Sequence, residues 1–215
     1  MTSLATLLLL ADGRFPSGGH AHSGGLEPAV AAGAVNDLCT LERFLRGRLH
    51  TAGLVAAAFG AAATLPGADL EALDAGLDAR TPSPAQRRAS RAQGRALLRA
   101  GRAMWPVPPR PRDAHQPVAM GVVAAAAGLS PEQAAVSAAH ASIAGPASAA
   151  VRLLGLDPYG VHALLAGLAT HCDEVAGRAT ACAGRPVDEL PAAAAPLLDI
   201  GAEIHATWEV RLFAS

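Results

Sequence analysis

The 215-residue sequence predicts an all-α fold. Three observations carry that reading. No stretch alternates apolar and polar residues as a half-buried strand requires, whereas leucines recur at three- and four-residue spacing. Aromatic residues are 3% of a chain that is 51% hydrophobic, so the core must be Ala, Leu and Val at close helix contacts. Capping residues, prolines and glycines punctuate the chain at helix-length intervals. The expected architecture is a single-domain bundle over 1–215, of roughly eight to ten helices, with a Gly-rich N-terminal loop and a short apolar C-terminal tail. At this length about 70% of the unfolded surface can be buried, so no disulfide or structural metal is needed.

Thr2 or Ser3 can cap a first helix reaching about Ala11. After the glycine loop, Ser23 can cap a helix over 26–34, with Pro28 tolerated in its first turn. Asn36 or Asp37 starts a longer helix whose face is Leu38, Leu41, Leu45, Leu49 and Ala52, and Pro66-Gly67 ends it; Arg43, Arg46 and Arg48 lie off that face. Asp69 opens a helix bearing Glu71, Asp74 and Asp78 as an acidic stripe. Ser83-Pro84 then starts a helix to about Met104, whose Arg87, Arg88, Arg91, Arg95, Arg99 and Arg102 form one stripe. The Pro-rich segment 105–117 reads as a stiff connector and the best internal boundary. Beyond it lie a small-residue helix from Val118 and a helix started by Ser130-Pro131 that stops at Gly145-Pro146. A short helix over 147–156 follows, then one helix from Asp157 to Gly184, and a last one from Pro196.

Composition excludes several functions. The formal net charge of −1 argues against global steering toward nucleic acid or an anionic membrane. All 17 basic residues are arginine, which rules out a P-loop or Schiff-base lysine on this chain. Cys39, Cys172 and Cys182, odd in number and widely spaced, read as reduced thiols of a cytoplasmic protein. No basic residue precedes the N-terminal apolar run, which does not read as a secretory signal, and Thr51–Ala68 is too weakly apolar to span a membrane.

The costly feature is the loop after Asp12. It holds Gly13, Gly18, Gly19, Gly24 and Gly25 within 13 residues, with Phe15-Pro16, His20, His22 and Ser23. His20 and His22 could hold a soft divalent metal, but two histidines are half a site. Ser23 beside His22 lacks the strand–turn–helix elbow of a hydrolase nucleophile. The plain alternative is a tightly turned loop supporting a docking surface. The arginine stripe outnumbers the acidic stripe on the preceding helix. It reads first as partly paired and solvated, then as a surface for an acidic partner, and last as a nucleic-acid site. Cys172 falls in a leucine stripe and reads as a packed thiol. The ending Arg211-Leu212-Phe213-Ala214-Ser215 either docks back on its own helices or offers Phe213 and Arg211 to a partner.

The run Leu8–Glu27, LLLADGRFPSGGHAHSGGLE, resembles the N-terminal signature of the urease accessory protein UreF family. Gln93-Gly94 to Leu98, His115-x-Pro117 with Gly121, Val151-Arg152-Leu153, and the R-L-F-x-S ending follow the family's order. The sequence departs at His20, usually aromatic in the family, and at Leu154-Gly-Leu-Asp157, where the family tends to have Pro-Leu-Gly-Gln.

The resemblance implies an all-α, homodimeric, cytoplasmic protein with no catalytic activity and no cofactor. Such a protein bridges UreD (UreH) and the GTPase UreG on apo-urease, and nickel is cargo of the complex. The residues it marks as partner-binding are Phe15, Pro16, Gly18, Gly19, His22, Ser23, Gly24, Gly25, Glu27, Arg152, Arg211, Leu212, Phe213 and Ser215. The other readings are a stand-alone nickel metallochaperone using His20, His22 and Cys172, and a nucleic-acid-binding protein using the Arg87–Arg102 stripe.

Overall fold

The computed structural model describes residues 4–215, so the cap expected at Thr2 or Ser3 lies outside the described residues. Among the described residues there are eleven α-helices and no strand. They are α1 Leu4–Ala11, α2 Leu26–Ala31, α3 Leu38–Arg48, α4 Leu54–Thr64, α5 Leu70–Arg80 and α6 Pro84–Met104, followed by α7 Gln116–Ala126, α8 Pro131–Leu154, α9 Pro158–Gly167, α10 Ala169–Cys182 and α11 Pro196–Ala206. None is long and apolar enough to cross a membrane.

The core is organised around α4. A π turn, Leu49–Gly53, joins α3 to α4 in one rod, as the leucine spacing predicts. All of α4 except Ala56 is buried, because α7, α8 and α10 surround it. Small residues set these spacings. A Cβ on Gly121 would strike the Gly60 carbonyl and Ala63, and one on Gly94 would strike the Ala114 carbonyl. The glycines in the weaker motifs are thus packing positions, where α7 meets α4 and where α6 meets the connector.

Most helix starts follow the caps read from sequence. Asp37 accepts from Thr40 N, Asp69 from Ala72 N, Ser83 from Gln86 N, and Ser130 with Gln133 completes a capping box. The Pro-rich segment does not part the chain. Arg102 donates to the carbonyls of Pro108, Pro109 and Pro111, Val107 and Ala114 are buried, and α6 packs against α7 across it.

Three helix boundaries differ from expectation, the first being the end of α2, at Ala31 and not at 34. Gly145-Pro146 does not stop α8, which continues to Leu154. Proline leaves the carbonyl four residues earlier without its helical donor. That carbonyl belongs to Ser142, and Arg48 Nε–H reaches it at 2.8 Å, so a donor from another helix repairs the ladder. The segment expected as one helix after Asp157 is two, α9 and α10, changing at Leu168. Leu168 is buried, and its N–H is shared between the carbonyls of Leu164 and Leu165, which tightens the turn.

Candidate functional site: the loop–tail joint

The Gly loop and the C-terminal tail, the two most specific sequence motifs, form one structure. Glu27, in the first turn of α2, is buried and accepts three hydrogen bonds. Its Oε1 takes the Leu212 amide at 2.8 Å, and its Oε2 takes the Phe213 amide at 3.0 Å and His205 Nε2–H at 2.8 Å. Charge-assisted bonds in a dry setting are the strong kind. Loop and tail also pair through their backbones: Ala214 N–H donates to the Ala21 carbonyl at 2.7 Å, and Ser23 N–H to the Ser215 carbonyl at 2.6 Å.

Side chains complete the joint. Ser23, fully buried, donates Oγ–H to the Ser215 carbonyl at 2.8 Å and accepts the Glu27 amide at 3.2 Å. Gly25, not Ser23, stands at the N-cap of α2; Ser23, two residues earlier, takes a first-turn amide and fixes the tail. His22 Nδ1 lies 2.7 Å from Ser215 Oγ. Burial lowers the His22 pKa, and neighbouring His20 lowers it further. Arg152 of α8 donates to the His20 carbonyl at 3.0 Å and lies over the Phe213 ring at 4.3 Å, a cation–π contact that clamps loop and tail together. Gly24 and Gly25 stand at φ +62° and +88°, the left-handed region that lets the chain turn over Pro146 and Leu198.

The residues marked in the sequence divide by accessibility. Phe15, Ser23, Glu27 and Phe213 are buried; Phe15 stacks on Trp105 with ring centroids 6.1 Å apart, and Phe213 is 4% exposed. The tail thus docks on its own chain, and Phe213 is not free to enter a partner's pocket in this conformation. Pro16, Gly19, Arg152, Arg211 and Leu212 are exposed, while Gly18, His22, Gly24, Gly25 and Ser215 are half-buried. Beside the tail, Leu197, Ile200 and Ile204 of α11 are exposed, as are Val210 and Leu212. The sequence does not single out His205 or Trp105. His205 adjoins Ile204 in sequence, and no local pattern distinguishes it from a surface histidine.

Neither other reading of the sequence assembles a site. His20 is exposed, and His22 Nδ1 is engaged by Ser215, so the pair gathers no third ligand among the described residues. Cys172 is packed in the core, and burial, followed by nearby Asp173, raises its thiol pKa to about 11. The described residues do bring Asp74, Asp78 and His115 within ligand range of one another. Arg91 already fills that space, with 2.7 Å contacts to both carboxylates. His115 Nε2–H donates to Asp78 at 2.9 Å, and its Nδ1 lies 3.0 Å from Ser90 Oγ. The group is an ion network joining α5, α6 and the connector. The arginine stripe is partly paired: Arg95 meets Asp113 at the surface, Arg102 serves the proline carbonyls, and Arg88 and Arg99 are exposed.

The sequence model of the UreF family matches residues 35–169. The chain is 50% identical to the urease accessory protein UreF of Mycobacterium sp. (strain JLS), with all of both chains covered. The chain belongs to the UreF family. It is also 47% identical to UreF of Mycolicibacterium vanbaalenii and 44% identical to UreF of Mycobacterium tuberculosis (strain H37Rv), again over the full length of each. The family match covers α3 to the first residue of α10, which contains the core rod. The loop, α2 and the tail of this UreF-family chain lie outside it, within the full-length similarity to the relatives, and of the joint's contacts only Arg152 falls inside it.

Proposed function

We propose that this chain is a non-catalytic scaffold of urease maturation, bridging a UreD-type accessory protein and a UreG-type GTPase so that nickel is inserted into apo-urease. In this reading it works as a cytoplasmic homodimer, and nickel is cargo of the complex. The observation that carries the reading is the joint. Glu27 spends a buried carboxylate on holding the tail, and this keeps Leu212 and Val210 exposed beside the apolar face of α11. Large apolar side chains exposed on both segments suit a protein partner. The UreD-type protein would dock on that face, and the GTPase would meet the Gly loop at Pro16 and Gly19.

The test is co-purification of the UreD-type partner with three forms: the full chain, a chain lacking 211–215, and a Val210→Asp/Leu212→Asp variant. The double variant leaves every contact of Glu27 and Phe213 in place. The expected result is loss of the partner from both altered forms with unchanged helical circular dichroism. Retention by the double variant would remove the α11–tail face from the reading. Light scattering of the isolated chain checks the dimer.

A further inference from the structure

Arg48, at the end of α3, lies beneath the Gly24 turn. A Cβ on Gly24 would sit 3.1 Å from its Cζ and from Nη2, so the missing side chain leaves it room. Nε–H is committed to the Ser142 carbonyl. Nη1 and Nη2 have no acceptor among the described residues, and no carboxylate there lies within 4.0 Å of them. Burial pulls the Arg48 pKa down to about 10, which leaves it cationic at neutral pH. The side chain is half-buried, so its two free Nη groups face the open space beside them and not a protein acceptor.

Arg48 lines a cavity of about 210 Å³ between α2, α4, α6 and α11. That is room for several waters, each taking about 30 Å³, or for a small anion. Gln93, Gln116 and Ser215 contribute polar groups to its wall. One carboxylate, that of Asp199, also lines it. Burial raises the Asp199 pKa, and its Oδ1 is occupied by the Ser83 amide at 3.3 Å.

We propose that the free fork of Arg48 anchors a binding site for a small oxyanion in this cavity. A guanidinium held by Nε presents Nη1 and Nη2 as two parallel donors, the geometry that carboxylate and phosphate oxygens accept in pairs. Because Gly24 and Ser215 border the same cavity, occupancy would tighten the loop–tail joint.

The test is calorimetric titration and thermal denaturation of the full chain at constant pH and ionic strength. Inorganic phosphate and acetate are the probes, and chloride is the control. Saturable heat and a rise in Tm are expected with at least one oxyanion and not with chloride. The two probes separate a phosphate-type from a carboxylate-type ligand. Arg48→Gln should weaken the response by on the order of tenfold. Arg48→Lys, which keeps the charge and loses the fork, should also weaken it, and it decides the matter if the glutamine variant does not fold. No saturable response in the unaltered chain, or an undiminished response in the folded variants, overturns the proposal.

Discussion

Glu27 and His205 meet at 2.8 Å although 178 residues separate them. Around that contact the same carboxylate gathers the amides of Leu212 and Phe213. The first turn of a six-residue helix near the N-terminus therefore fixes the C-terminal tail.

Replacing Glu27 should release the tail before it disturbs the bundle. Glu27→Ala leaves the buried Phe213 amide, the part-buried Leu212 amide and His205 Nε2 without an acceptor, at roughly 3 kcal/mol in total. Glu27→Gln keeps one acceptor and should cost less. Hydrogen exchange should show lost protection at Leu212 and Phe213 in both variants, with the α4 amides still protected. Uniform loss throughout would mean that the joint supports the whole fold.

Two loop glycines should respond differently to alanine. Gly18 stands at φ +75° with open space around it, so Gly18→Ala pays only for the left-handed backbone, about 1–2 kcal/mol. Gly24→Ala adds a Cβ 3.0 Å from Pro146 Cγ and 3.1 Å from the Arg48 guanidinium. Its Tm should fall below that of Gly18→Ala. The reverse order would place the loop differently over α8.

Acid should loosen the joint through His22. Its folded pKa lies below the ordinary histidine value, because burial disfavours the imidazolium and His20 adds to that. Below about 6.5 the unfolded chain takes up the proton first, so stability is full above that pH and falls as the pH drops toward the folded pKa. Burial lowers the pKa of His140 as well, so it contributes in the same direction. Denaturant unfolding of His22→Gln between pH 7.5 and 5 should show a shallower pH dependence than the parent; an identical slope would assign the effect elsewhere.

A second acid transition belongs to Asp78. Burial would raise its pKa, but the hydrogen bonds from His115 and Arg91 outweigh burial and hold it below the usual carboxylate range. Asp78 therefore contributes stability above its unfolded pKa, and that contribution is lost as pH falls through the lower folded value. The side chain is 43% exposed, so solvent screens the effect and keeps it small. Arg91→Gln should flatten the unfolding curve below about pH 4.5, and a measurement of stability against pH checks it.

The helical class, the α3–α4 rod and the caps at Asp37, Asp69, Ser83 and Ser130 were legible in the sequence, because each rests on spacings between near neighbours in the chain; the family signature was legible as a run of residue types. Pro146 shows the limit. Locally it reads as a helix stop, and it is overridden by Arg48, whose residue number lies 94 below that of the carbonyl it repairs. The acidic and basic stripes were visible as patterns, but which arginines found partners depended on where the connector brought Asp113 and the proline carbonyls.

The sequence alone determined that the Gly loop and the Arg-Leu-Phe tail are special, since one is entropically costly and the other puts large apolar residues on a terminus. Only the tertiary structure decided that they are one object. Hydrogen bonds to Glu27 and from Ser23 and Arg152 join groups more than a hundred residues apart, and no periodicity records such pairings. They follow from the packing of α2, α8 and α11, which brings one buried carboxylate within reach of the tail's amides.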